Sequence, residues 1–356
     1  MMCDERETFS HGVTSPRAVA PTSHAASPRL RSGGHRRTRG SGIAQGAIKR
    51  AVSAACLRIR YRDSSPRRQF LKAGIGALAL GLKGIQPGGA PSAFASMRHP
   101  QSGSSVIEDA QLHLRLRRQE LAQDSRGHAC WRVLNNELSL PASDVAIVIC
   151  DMWDKHWSRG ATERVGEMAP RMNRVVQAAR ARGVHIIHAP SDTLDFYAGT
   201  PARQRMVETP RVVPPEPIEH PDPPLPIDDS DGGSDTGEKP WFKAWSRQHP
   251  AIEIDHDRDG ISDDGQEVYS FLQRRGIQQV IIMGVHTNMC VLGRSFGIKQ
   301  MVRWGVSVAL ARDLTDTMYN PAMRPYVGHD EGTGLVVSYI EKFWCPSVSS
   351  EDLVGG

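Results

Sequence analysis

The chain has 356 residues, with 44 Lys and Arg against 39 Asp and Glu, but residues 1–95 hold 16 of the basic groups and only 4 of the acidic ones. The remaining 261 residues therefore carry 28 basic and 35 acidic groups, and an acidic folded portion excludes binding to a phosphate backbone, which takes a basic face. No run approaches the roughly 20 apolar residues that a membrane-spanning helix requires, and the length after position 95 suffices for one domain with a substantial core.

Residues 1–60 mix Ser, Gly, Pro, Ala, His and Arg with nothing periodic to bury. They are expected to be a disordered extension or an over-long reading frame. Residues 61–95 contain Ser65-Pro66-Arg67-Arg68-Gln69-Phe70-Leu71-Lys72, a short apolar run over 73–82 and an Ala93-Phe94-Ala95 end. A basic pair, a greasy segment and a small-residue cleavage site in that order resemble the twin-arginine export signal of bacteria. The resemblance implies a periplasmic or secreted protein that starts at Ser96 and folds before export. The competing reading is two arginines adjacent by accident in an Arg-rich tail. Of six cysteines, Cys3 and Cys56 precede Ser96, and the other four show no dense disulfide framework.

Residues 96–144 read as an edge segment. Leu112, Leu114 and Leu116 alternate with polar residues over 111–117, the period of a half-exposed strand in an edge hairpin. Residues 145–150 are continuously apolar and rich in Val and Ile, as a strand buried on both faces of a parallel sheet must be. A helix is expected over 163–182, closed by Gly183, and a second buried strand over 184–189, together a parallel crossover unit. The alternation breaks over 198–250, a proline-rich and partly acidic insertion of a length that marks a lid or a subunit-contact arm. It resumes with a short strand over 251–254, then a helix capped by Asp263 with Gln266 and running to Arg275. Strands over 278–283 and 306–311 flank a helix over 288–304, and an amphipathic helix covers 333–343. The sum is a three-layer α/β/α domain over 145–350 with a mainly parallel sheet, whose ligands gather at the carboxyl ends of the strands.

Two reactive side chains stand at such ends: Asp151 closes the first buried strand, and Cys290 follows the strand over 278–283. A cysteine in the first turn of a helix feels unpaired N–H groups and the positive end of the helix dipole, which favour thiolate. The same N–H groups can stabilise an oxyanion while a nearby carboxylate carries the proton.

The segments Val145-Ala146-Ile147-Val148-Ile149-Cys150-Asp151-Met152-Trp153 and Gly284-Val285-His286-Thr287-Asn288-Met289-Cys290-Val291 resemble the two signatures of the isochorismatase-like cysteine hydrolases, the group that contains nicotinamidase. The resemblance implies Asp151 as general acid and base, Cys290 as nucleophile on an amide carbonyl, and a cis bond between Val285 and His286. It also implies the backbone N–H groups of His286 and Cys290 as oxyanion donors, no cofactor, and a homo-oligomer acting on a small molecule. Two features depart from the pattern. The lysine that follows the strand expected at 251–254 is missing from Asp255-His256-Asp257-Arg258-Asp259, which leaves Arg258 or Lys243 as the third group. The nicotinamidase metal motif is also absent at His188-Ala189-Pro190-Ser191-Asp192, and no metal is expected there or at Asp228 to Asp231.

Trp153, His156 and Trp157 read either as core packing or as pocket walls beside Asp151. Asp313 and Asp316 read as turn and cap residues, and Cys130, Cys150 and Cys345 as structural thiols. The expected activity is hydrolysis of a C–N bond in a small amide or carbamoyl compound. The alternative is a binding or assembly protein that kept the fold without catalysis. Vinyl ether hydrolysis needs no cysteine nucleophile, so Cys290 counts against it.

Overall fold

The computed structural model describes residues 110–239 and 242–355. The extension, the export signal and the start of the edge segment lie outside the described residues. Strand β1 (Gln111–Gln123) turns at Gly127 into β2 (Ala129–Pro141), a hairpin longer than the alternation foretold. Strand β3 (Val145–Cys150) leads to α1 (Arg159–Ala181) and β4 (His185–Ala189). Helix α1 begins four residues earlier than expected because Ser158 caps it, its hydroxyl accepting from the Ala161 amide.

The insertion holds a helix that the sequence reading missed, α2 (Pro201–Glu208), capped by Thr200 with Pro201 in its first turn. The strand expected over 251–254 is a turn, and the edge strand is instead the two-residue β5 (Gly260–Ile261). There follow α3 (Gly265–Arg275), β6 (Gln279–Val285), α4 (Cys290–Gly293), α5 (Ile298–Arg303) and β7 (Val308–Asp316). The chain closes with α6 (His329–Phe343), β8 (Ser347–Val348) and α7 (Glu351–Val354). Asp264, not Asp263, caps α3 by accepting from the Glu267 amide at 2.8 Å.

The helix expected over 288–304 is broken: Arg294 is extended (φ −61°, ψ 158°), so α4 is one turn and α5 restarts at Ile298. Asp313 and Asp316 lie in β7, not in a turn. Asp316 is buried and bonds to Arg164 and His329, while Asp313 accepts from Arg171 and Ser350.

The eight strands form one sheet in the order β2-β1-β8-β7-β6-β3-β4-β5. Pairing from β8 to β5 is parallel, and β1 pairs antiparallel with both β2 and β8. Successive residues of β3 serve opposite faces. Ala146, Val148 and Cys150 pack with Phe271 of α3, Met301 of α5 and Ile340 of α6. Val145, Ile147 and Ile149 pack with Met172 and Val176 of α1, Leu353 of α7, and Leu112 and Leu114 of β1. Covering both faces this way gives the expected three layers.

The described part of the insertion lies along its own domain. Arg203 and Arg211 bond to Glu267 of α3, Lys299 of α5 and Tyr339 of α6 to Asp222, and Arg164 of α1 to Asp235. Among the described residues no helix is long and apolar enough to cross a membrane.

Gly284 ends the regular part of β6 at φ +110°, and a Cβ there would sit 2.0 Å from the Cys150 carbonyl oxygen. Gly166 lies inside α1 with open space around it. Gly284→Ala is therefore expected to lose about 2 kcal/mol or more in urea denaturation, because a strained backbone and a clash coincide. Gly166→Ala is expected to gain about 0.5–1 kcal/mol.

Candidate active site

Parallel strands deliver their following loops to one rim, and three adjacent strands deliver the site. Asp151 follows β3, Ser191 follows β4, and the loop from His286 to Cys290 follows β6. Asp151 is fully buried and stands at φ +47°, a left-handed conformation uncommon outside glycine that turns its side chain across the strand ends. One carboxylate oxygen accepts from the Ser191 amide at 2.8 Å, and the other accepts from the Arg294 Nε at 3.0 Å. The Cys290 thiol lies against the same carboxyl group and interacts with it electrostatically. The structure thus brings the acid and the sulfur together across 139 positions of chain, as the two motifs require.

The electrostatics differ from the helix-start expectation. Burial raises the Cys290 thiol, the neighbouring Asp151 charge raises it further, and Arg294 offsets only part, leaving it pushed up to about 12. A single turn of four residues has little dipole to set against burial. Cys290 is therefore a neutral thiol at rest. Burial also raises Asp151, against the lowering pull of Arg294 and the Ser191 contacts. A raised carboxylate beside a thiol is a ready proton acceptor for it.

Neither cation proposed from the sequence holds Asp151. Arg258 pairs with Asp255 at 2.8 Å on an exposed turn, and the Lys243 ammonium donates to the Asp192 carbonyl. The cation on Asp151 is Arg294, whose NH2 group also lies 3.5 Å from Asp192. Arg294 is reached because the break after α4 frees it from the helix. Its one sequence signal is its place four residues after Cys290. Burial opposes its charge, but Asp151, Cys290 and Asp192 together outweigh burial and keep the guanidinium firmly protonated.

The peptide bond between Val285 and His286 is cis, as the resemblance implies, and the His286 amide reaches the Cys290 sulfur. On the other side of Asp151 lies a narrow cavity lined by Trp153, Lys155, His156, Thr162, Val165, Val285 and His286. Trp153 is a wall held by its indole N–H on the Ser191 carbonyl at 3.0 Å. Trp245, from the insertion, stacks on it at 4.2 Å. His156 lines the cavity, whereas Trp157 tilts against the His156 ring at 4.9 Å from behind and does not line it. Burial and Arg164 push His156 down to about 4, and burial with His156 pushes His286 down to about 3.

His188 is buried on Gln248 and Asp259, away from the exposed Asp192. Asp229 accepts from Asn288 and Asp231 from Asn320, so those carboxylates are spoken for within the protein. Among the described residues no three His, Cys, Asp or Glu side chains converge as metal ligands. All four described cysteines are free thiols.

No curated protein sequence matches the chain. Solved structures similar to it include a cysteine hydrolase from Pseudomonas syringae pv. phaseolicola 1448A, at 15% identity over 60% of this chain and 92% of that one, with a TM-score of 0.38. An isochorismatase family protein from Burkholderia thailandensis is 16% identical over 60% of this chain and 96% of that one, with a TM-score of 0.34. PnC1 from L. infantum, solved in complex with nicotinate, is 15% identical over 55% of this chain and 89% of its own, with a TM-score of 0.29. The isochorismatase domain family itself matches residues 145–322, half of the chain and the stretch that carries both strand-end loops and the insertion between them. On that match the chain belongs to the isochorismatase domain family.

Proposed function

We propose that the protein is a cysteine-nucleophile hydrolase that cleaves a C–N bond of a small amide or carbamoyl compound. The observation that carries the reading is the Asp151 carboxylate joined at once to the Cys290 thiol and the Arg294 guanidinium. As Cys290 Sγ attacks the carbonyl carbon, its proton passes to Asp151, and the carbonyl electrons move onto an oxyanion faced by the His286 and Cys290 amides. Collapse of that intermediate breaks the C–N bond, the amine leaves with the proton from Asp151, and a thioester remains on Cys290. Water then releases the acid and restores the thiol.

Arg294 takes the place of a lysine with a different consequence. A guanidinium does not give up its proton in this range, so it holds charge and orientation while Asp151 alone moves protons. Export by the twin-arginine route is part of the same reading and rests on residues 61–95; amino-terminal sequencing of the secreted protein tests it, with Ser96 expected first. The second reading, a binding protein that kept the fold, draws on the absence of a lysine against Asp151 among the described residues.

Cys290→Ala is expected to abolish turnover across a panel of small amides, and Asp151→Asn to lower kcat by roughly 10²–10⁴. Any amide hydrolysed by the wild type and equally by Cys290→Ala overturns the reading, and ligand binding without turnover in the wild type favours the second one. Iodoacetamide should alkylate Cys290 slowly at neutral pH, because a thiol near 12 is almost wholly protonated.

The pH profile follows from Asp151. Its carboxyl is raised, and the reaction needs the ionised form, so kcat/KM should fall on the acid side at a pH above the ordinary carboxylate value of 3.8. Arg294 lowers the Asp151 carboxyl, so Arg294→Gln should move that acid limb to still higher pH, while Arg294→Lys should hold it closer to the wild-type position.

A further inference from the structure

His329 opens α6, and both of its ring nitrogens face atoms that only accept hydrogen bonds. Nδ1 lies 3.0 Å from the Tyr319 backbone carbonyl, and Nε2 lies 2.9 Å from the Asp316 carboxylate. The other Asp316 oxygen accepts from the Arg164 Nε at 3.0 Å, and against burial His329 and Arg164 hold that carboxyl low and ionised. A neutral imidazole has one N–H and one lone pair, so it would press the lone pair against an oxygen on one side or the other. Only the imidazolium satisfies both contacts. Its charge stands at the positive end of a helix, where the dipole opposes it, so nearby carboxylates must supply the compensation. Nδ1 is also 3.7 Å from Asp235 of the insertion, and Asp235 accepts from the Arg164 Nη1 at 2.7 Å. Arg164, Asp235, His329 and Asp316 thus form a closed ring of alternating charge. All four side chains are mostly buried, Arg164 being the most open at 22%, so salt screens them little.

We propose that His329 is a fixed imidazolium and the pH-sensitive member of a latch that fastens the insertion to the rim of the sheet. The charge ring joins four segments far apart in the chain: α1, the insertion, the end of β7 and the start of α6. Beside Asp235, the Thr236 hydroxyl accepts from the Gly160 amide at 3.1 Å, which extends the same docking to the first turn of α1. The Asp316 carbonyl accepts from the Thr287 amide at 2.8 Å, so the latch also touches the loop that leads to Cys290. Two other titratable groups face the cluster, His286 and His156, and burial above all pushes both down, so they stay neutral. On its own helix His329 is followed by Asp330 and Glu331. Within the ring, His329 is then the member that changes charge near neutral pH. Burial works against its proton, but the Asp316 hydrogen bond and charge, helped by the Tyr319 carbonyl, outweigh burial and Arg164 and raise it above the ordinary 6.5. Its contribution to docking is therefore complete below pH 6.5 and is lost as the pH climbs through the raised value. Loss of the proton leaves two carboxylates against one guanidinium, and Asp235 keeps Arg164 but no longer a charged His329.

The test follows the His329 ring resonances of the isotope-labelled full chain through a pH titration by NMR. A midpoint above 6.5 is expected, and a midpoint at or below 6.5 overturns the fixed imidazolium. Linkage is reciprocal, so a proton that favours docking of the insertion must itself be held by the docked insertion. Asp235→Asn should accordingly lower the His329 midpoint, and an unchanged midpoint overturns the latch. Amide exchange over residues 229–238, read by mass spectrometry and corrected for the intrinsic effect of pH, reports the docking directly. In the wild type it should be about tenfold faster at about pH 9 than at about pH 6, the size of one lost hydrogen bond to a charged group. His329→Gln, a neutral side chain of similar reach, should exchange at the fast rate at both pH values. Equal protection at both in the wild type, or a pH dependence that survives in His329→Gln, overturns the proposal. Should His329→Gln fail to fold, the wild-type titration and the Asp235→Asn shift decide between the same two answers.

Discussion

A single buried carboxylate organises the rim of the sheet. Asp151 has no exposed surface, and a charge so placed costs several kcal/mol unless it is bonded on every side. The Ser191 amide supplies one such contact from the loop after β4, and the Cys290 thiol and the Arg294 guanidinium supply the others from the segment after β6. Each loop follows a strand of the parallel sheet, so the register of β3, β4 and β6 sets the distances among them. The same burial that makes Asp151 expensive raises its affinity for a proton, next to a thiol held near 12.

The insertion shares in the support of this rim. Its indole at Trp245 stacks on Trp153, and Ser246 bonds to Asp154, both just beyond Asp151. Its carboxylate at Asp229 accepts from Asn288, two residues before Cys290, at 2.7 Å. Arg164 of α1 joins Asp235 of the insertion to Asp316 of β7, and His329 bonds to Asp316 from the start of α6. Burial raises Asp316, but His329 and Arg164 outweigh it and keep the carboxyl low, so the linkage is an ionised one. A segment that looks like an appendage in the sequence touches the loops of both reactive residues.

Much of the fold was legible because burial writes directly into composition. Strand β3 was found to the residue, since its six positions are all buried and all apolar. Edges were harder. Residues 251–254 have the composition of a strand, but Ile252 packs against the α1 face as part of a turn while Gly260 and Ile261 make the edge ladder. The helix starts at Arg159 and His329 came one turn before the amphipathic pattern did, because a first turn is fixed by a cap such as Ser158 or by local backbone and not by burial.

The sequence by itself determined the layered α/β architecture, the family likeness and the two residues at the heart of the site, because alternation of apolar residues and two short motifs are local properties of the chain. Only the tertiary structure decided that the partner of Asp151 is Arg294 and neither Lys243 nor Arg258. It also decided that Cys290 rests as a thiol. Those outcomes depend on where a helix breaks, how deeply a group is buried and which charges meet through space, and separation along the chain carries none of that information.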